Sequence, residues 1–200
     1  MKNFKIRCSA IGKIMTNAKK KGELSKGTQT YVQEWIKQEI YGRRKDISSK
    51  YLDKGNAVED DSIIFAAEQL DLGFVVKNED FFEDEFMTGT PDVLLADEVI
   101  DMKNSWDCFT FPLFEDKIPT KDYMYQLQGY MALTGKSKAR LVYTLMNTDK
   151  DINYGVADNY DDVDAKYRIK VFEVARDEEI IGAIKERVTE INEYISKLKL

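Results

Sequence analysis

Asp92, Asp101 and Lys103 are side chains whose types and spacing can do chemistry together. They lie in Phe86–Lys103, FMTGTPDVLLADEVIDMK, which reads as a hairpin: a strand at Val93–Leu95, a polar turn at Ala96–Glu98 and a second strand at Val99–Lys103. Successive side chains of a strand alternate between faces, so Val99, Asp101 and Lys103 share one face and Ile100 and Met102 the other. Asp92, just after Pro91, can lie across the hairpin from them if the turn is short. Two carboxylates and a lysine on one sheet face make either a solvated edge or a metal site.

In the second case Asp92 and Asp101, with Glu59 from upstream, offer the hard oxygen ligands that Mg²⁺ or Mn²⁺ prefers. The backbone carbonyl of Met102 is a natural further ligand. Paired carboxylates repel and raise a pKa unless a cation neutralises them. A bound divalent ion also acidifies its water and neutralises charge on a scissile phosphate, which is a histidine-free route to phosphodiester hydrolysis. In that scheme Lys103 orients or helps to deprotonate the attacking water, since nearby metal charge disfavours its own protonated form.

The rest of the composition narrows the choice. The chain has no histidine, which excludes a His-ligated zinc site, a Ser-His-Asp triad and a Cys-His pair. Cys8 and Cys108 lack CxxC spacing and read as two reduced thiols. No apolar run approaches the ~20 residues of a membrane span, and MKNFKIRCSA lacks a secretory apolar core, so a soluble, cytoplasmic protein is expected. The net charge of −6 hides a polarity along the chain. Residues 1–50 hold 13 Lys and Arg against 4 Asp and Glu, residues 51–120 hold 4 against 18, and residues 121–200 hold 13 against 14. A basic first segment suits a polyanion and the acidic middle suits cations, although both also suit plain solvated faces.

The hairpin needs a frame, and periodicity supplies it. The expected helices are Ala10–Thr16 capped by Ser9, Thr28–Tyr41 ended by Gly42, Asp53–Leu72 closed by Gly73, Asp122–Thr134 ended by Gly135, and a last one capped by Asp177 and running to Leu200. The third turns Ala57, Ile63, Ile64, Ala67 and Leu70 inward, with Glu59 near the buried side. The fourth puts Tyr123, Gln126 and Tyr130 on one face. Further strands are expected at Phe74–Lys77, Asp80–Phe82, Ala139–Met146 and Tyr167–Ala175. Lys19, Lys20 and Lys21 lie in a polar loop suited to phosphates, and Arg43 and Arg44 follow the second helix as another basic cluster. The order implies one domain over residues 1–200, an α/β (α+β) fold with a central mixed sheet flanked by helices and with the basic segment 1–50 as part of it.

GTPD followed by DMK resembles the PD-(D/E)XK nuclease signature, with Asp92, Asp101 and Lys103 in its three catalytic positions. KGNAVEDDSIIFA resembles the family's helix with an upstream glutamate, here Glu59. YQLQGYMALTG carries the Q-x-x-x-Y pattern, Gln126 and Tyr130, of the branch that includes phage lambda exonuclease and the YqaJ-type viral recombination exonucleases. IRCSAIGKIM is similar to that branch's N-terminal segment, whose serine, Ser9 here, helps to hold a DNA 5′ phosphate.

The resemblance implies a restriction-endonuclease-like core and a Mg²⁺-dependent (or Mn²⁺-dependent) exonuclease using two ions. Such an enzyme resects one strand of double-stranded DNA from a 5′ end, often as a trimeric ring, and passes the other strand to a single-strand annealing protein. It implies Asp92, Asp101 and the Met102 carbonyl as metal ligands, Glu59 as a further ligand or water-orienting group, and Lys103 as water activator. Gln126 is implied to contact Lys103 or a DNA phosphate, and Tyr130, Ser9 and Thr90 to line the phosphate pocket. One departure is an arginine that the lambda enzyme places shortly after its catalytic lysine, absent from Asn104–Phe109 (NSWDCF). The alternatives are a repair or defence endonuclease on the same fold and a DNA-binding module without catalysis, but clustered carboxylates that repel phosphate do nothing for binding alone.

Overall fold

The computed structural model describes residues 2–20, 22–45, 50–153 and 155–198. Its two sheets are both mixed. The larger has the order β4-β5-β6-β7, from Val93–Leu94, Glu98–Asn104, Lys138–Thr144 and Ile169–Ala175. β5 and β6 are parallel, and the outer pairs are antiparallel. A parallel pair needs a crossover, which is provided by α3, Lys121–Thr134. The smaller sheet has β3, Met87–Gly89, between β1, Ile6–Arg7, and β2, Phe82–Glu83. The remaining helices are α1, Lys26–Tyr41, α2, Lys50–Gln69, and α4, Glu178–Ser196. A mixed sheet flanked by helices is thus the architecture that the order of the elements predicts.

The alternation of β5 divides the core. Val99 belongs to one buried cluster with Leu127 and Met131 of α3, Ile184 and Val188 of α4, and Ile11 and Ile14 of the N-terminal segment. Ile100 and Met102, on the opposite face, pack with Ile63 and Ala66 of α2 and with Val93 and Val142. Each fully buried aliphatic side chain contributes about 1.5–3 kcal/mol, so both faces of β5 are held by core packing. Asp101 and Lys103, sharing a face with Val99, therefore point toward α3.

Helix ends follow the sequence signals. Ser25 Oγ accepts the Thr28 N–H at 3.0 Å, Thr120 Oγ1 accepts the Asp122 N–H at 3.2 Å, and Asp177 accepts from Glu179 and Ile180. Gly42 and Gly135 end α1 and α3 with φ of 60° and 72°. Two other glycines permit close approach. A Cβ on Gly129 would lie 2.7 Å from Ile11 Cδ1 and 2.8 Å from Cys8 Sγ, and one on Gly89 would lie 2.7 Å from Tyr130 Cε1.

Several local expectations are corrected. Ser9 is not an N-cap: it lies inside a 3-10 helix, Cys8–Lys13, preceded by Arg7 with no side-chain cap. Ala57 and Ile64 are exposed, because the buried stripe of α2 is Lys54, Ser62, Ile63, Ala66 and Ala67. Phe74–Lys77 is not a strand. Its apolar run finds no neighbouring strand, and Phe74 and Val76 remain exposed at 94% and 63%. The last helix stops at Ser196. No helix among the described residues is long and apolar enough to cross a membrane.

Candidate active site

The hairpin register sets the first contact. Val93 pairs with Ile100, so Asp92 falls opposite Asp101. Asp92 Oδ2 accepts the Met102 N–H at 2.6 Å. A strand residue turns its N–H and C=O to the same side, so the Met102 carbonyl also faces the Asp92 side of β5. Burial and the neighbouring Asp101 push the Asp92 carboxyl well above the usual carboxylate range, and only partly does the Met102 N–H pull it back.

Asp101 is 1% exposed. Its Oδ1 accepts from Gln126 Nε2 at 2.9 Å, and the same nitrogen donates to the Tyr130 hydroxyl at 3.1 Å. A carboxylate only accepts, so the amide must present its nitrogen to Asp101, and both its N–H groups are then used. Lys103 Nζ lies 2.5 Å from Asp101 Oδ2. That ammonium is the partner of Oδ2, as Gln126 is of Oδ1. Burial pulls the Lys103 ammonium down, but Asp101, with Asp92 behind it, more than offsets this and the pKa ends above its ordinary value. The ammonium also lies over the Tyr123 ring, 5.0 Å from its centroid. Burial, and then the Asp101 charge, raise the Tyr130 hydroxyl, so it stays protonated.

Glu59, on α2, is half-buried at the edge of this group. Its Oε2 lies 2.5 Å from Lys77 Nζ, and its charge reaches Asp92. The fold therefore brings together Asp92, Asp101, Met102, Lys103, Gln126 and Tyr130, with Glu59 alongside but held by Lys77. Gln126 contacts Asp101 and Tyr130 and not Lys103, the first of the two contacts that the resemblance implies. Thr90 and Ser9 are exposed, Ser9 on the turn whose Cys8 packs between Gly89 and Gly129. Lys19, Lys20, Arg43 and Arg44 are exposed on the N-terminal segment, Lys20 beside Glu23 at 3.6 Å, and none forms an ion pair with Glu59, Asp92 or Asp101. Lys21 lies outside the described residues.

The donor set fits a hard divalent cation in part. Asp92 and Asp101 repel one another, and a cation relieves that repulsion. As the side chains stand, no three His, Cys, Asp or Glu residues among those described are grouped closely enough to hold an ion, because Glu59 is turned to Lys77. Sequence reasoning missed Lys77 and Asn78. The strap 74–81 carries them to the site through non-strand backbone: Asn78 N–H donates to the Asp92 carbonyl at 2.7 Å and its Nδ2 to the Pro91 carbonyl at 2.9 Å.

Two mixed sheets and a crossover helix arranged in this way give the chain the fold of the phage-type exonuclease branch of the PD-(D/E)XK nucleases, the branch that Asp92, Asp101, Lys103, Gln126 and Tyr130 resemble. In particular, the chain is similar to a phage-related exonuclease from Haemophilus somnus 129PT, with 28% identity over 99% of this chain and 98% of that one and a TM-score of 0.85. It also shares the fold of LHK-Exo, an alkaline exonuclease from Laribacter hongkongensis, at 18% identity, 96% and 92% coverage and a TM-score of 0.73. LHK-Exo in complex with dAMP matches at 20% identity and a TM-score of 0.71, with the same coverage. No protein-family model matches the chain, and no curated protein matches it by sequence. The likenesses support a nuclease of phage type.

Proposed function

We propose that the chain is a divalent-metal-dependent deoxyribonuclease that hydrolyses duplex DNA from a 5′ end and leaves the other strand for annealing in phage-type recombination. The observation that carries this reading is the buried Asp92, Asp101, Lys103 and Gln126 group on an exonuclease fold. Asp92, Asp101 and the Met102 carbonyl would hold Mg²⁺ or Mn²⁺, with Glu59 as a further ligand. The ion, when bound, would acidify a water and neutralise charge on the scissile phosphate.

The chain's own residues do the rest. Gln126 fixes Asp101 through one N–H and Tyr130 through the other, so carboxylate and phenol keep a constant separation. Tyr130 Oη accepts from Gln126, which leaves its proton for a phosphate oxygen. Lys103 supplies an ammonium within reach of the same point, and a carboxylate that shares its charge with a cation holds that ammonium less firmly. The exposed Lys19, Lys20, Arg43 and Arg44 serve the DNA backbone, as does the Ser9 turn. The dAMP complex of LHK-Exo supports a nucleotide as the kind of ligand accommodated by this fold.

The test is digestion of linear duplexes with 5′-phosphate or 5′-hydroxyl ends, and of covalently closed circles, with and without Mg²⁺. Expected is metal-dependent loss of linear duplex from the 5′ end, abolished in Asp101→Ala and Lys103→Ala. Persistent full-length linear DNA would overturn the reading. Cutting of closed circles would replace it with an endonuclease. Sedimentation of the purified protein tests the trimeric ring, and co-purification with a single-strand annealing protein tests that partner.

A further inference from the structure

Lys77 has no part in the chemistry above, yet it touches the site. Its Nζ lies 2.5 Å from Glu59 Oε2, and its side chain keeps 40% of its surface exposed. The Lys103 and Asp101 pair is much more buried, at 22% and 2%. A pair at the rim is screened by water on one side and opens at little cost, whereas breaking a buried pair strands a charge. The backbone beneath Lys77 is fixed all the same, since the next residue, Asn78, bonds twice to the Pro91–Asp92 backbone. The fixed backbone keeps Lys77 anchored next to the site when its ion pair opens.

We propose that Lys77 is an exchangeable counter-ion for Glu59: it holds the oxygen that a divalent cation would take, and so sets the affinity of the site for that cation. The proposal rests on the metal-dependent reading given above. With Glu59 Oε2 paired to Lys77, no acid trio is grouped closely enough to hold an ion among the described residues. A lysine charge several ångströms from a dication opposes its binding by about tenfold in affinity even at a water-like dielectric. A sequence of 36 acidic residues and no histidine gives the device a purpose. It neutralises one carboxylate of a crowded group and restrains tight capture of cations.

Titration calorimetry with Mn²⁺ alone, in the absence of DNA, tests this on the full chain as wild type, Lys77→Gln and Lys77→Arg. Lys77→Gln is expected to bind Mn²⁺ about tenfold more tightly, and Lys77→Arg, which keeps the charge, to match the wild type. In EDTA, Lys77→Gln should melt at a lower temperature than the wild type, and Mn²⁺ should raise its melting temperature by more. Mn²⁺ binding to Lys77→Gln that is equal to or weaker than wild type would overturn the proposal and leave the metal-dependent reading standing. Absence of Mn²⁺ binding in all three proteins would overturn that reading itself.

Discussion

Lys54 couples the helix that carries Glu59 to the loop that leaves the Lys103 strand, and its protonation should be visible in stability. It is 1% exposed, and its Nζ donates to the Trp106 carbonyl at 2.8 Å. Burial pulls its pKa from 10.5 down to about 8, against the opposing pull of Asp158 and Asp107. Below pH 8 both folded and unfolded chains hold the proton, and the folded protein bears the full cost of a buried ammonium. Between about 8 and 10.5 the unfolded chain binds a proton that the folded chain does not, so stability rises with pH across that window. At ~1.4 kcal/mol per pH unit the relief amounts to ~2–3 kcal/mol by pH 10. Lys54→Met removes the ammonium but strands the Trp106 carbonyl at a cost of about 1–2 kcal/mol, so at pH 7 the two effects largely offset. Urea unfolding of both proteins at pH 7, 8, 9 and 10 isolates Lys54, since all other titrations cancel in the difference. The difference should move ~2–3 kcal/mol in favour of the wild type between pH 7 and pH 10. A difference that stays flat with pH would refute the reasoning.

Other outcomes follow from the same contacts. Gln126→Leu leaves Asp101 Oδ1 without its donor and should cost about 1–3 kcal/mol or more in urea unfolding, together with a loss of nuclease turnover. Gly129→Ala drives a methyl into Ile11 and Cys8 and should cost about 1–3 kcal/mol by thermal melting. Gly182→Ala, in α4, meets nothing within 4 Å and should instead stabilise by up to ~1 kcal/mol.

The elements around the hairpin were legible because local chemistry determines them. Asp177, Gly42 and Gly135 mark helix ends through hydrogen bonds and φ values within a few residues, and all three do so in the structure. The division of Val99, Asp101 and Lys103 from Ile100 and Met102 follows from the period of two. What periodicity could not show depends on distant partners. Phe74–Lys77 has the apolar, β-branched residues of a strand, but such a run pairs only when a sheet edge is available, and here the segment is tied through Asn78 to Asp92 instead. Lys54 broke the apolar pattern of α2, which misdirected its inward face toward Ala57 and Ile64. Its burial depends on the Trp106 carbonyl, 52 residues away. The Lys77 and Glu59 pair was hidden for the same reason, being joined by a loop with no regular period.

The direction of the site is ultimately a packing result. A one-residue slip of β5 would exchange its two faces, sending Asp101 and Lys103 toward α2 and Ile100 toward α3. That slip would uncover Ile100 and Met102 from Ile63 and Ala66, and place two charges there without Gln126 as a donor. Burying an unpaired charge costs far more than a misplaced methyl group. Several contacts at the turn oppose the slip before the core does. Leu95 N–H bonds to the Glu98 carbonyl at 2.9 Å, and Arg140 on β6 forms an ion pair with Glu98. Seven consecutive parallel pairs, Glu98 with Lys138 through Asn104 with Thr144, then carry the register along β5. Asp101 is thus delivered to Gln126 by apolar side chains and turn contacts, and none of those side chains takes part in the chemistry.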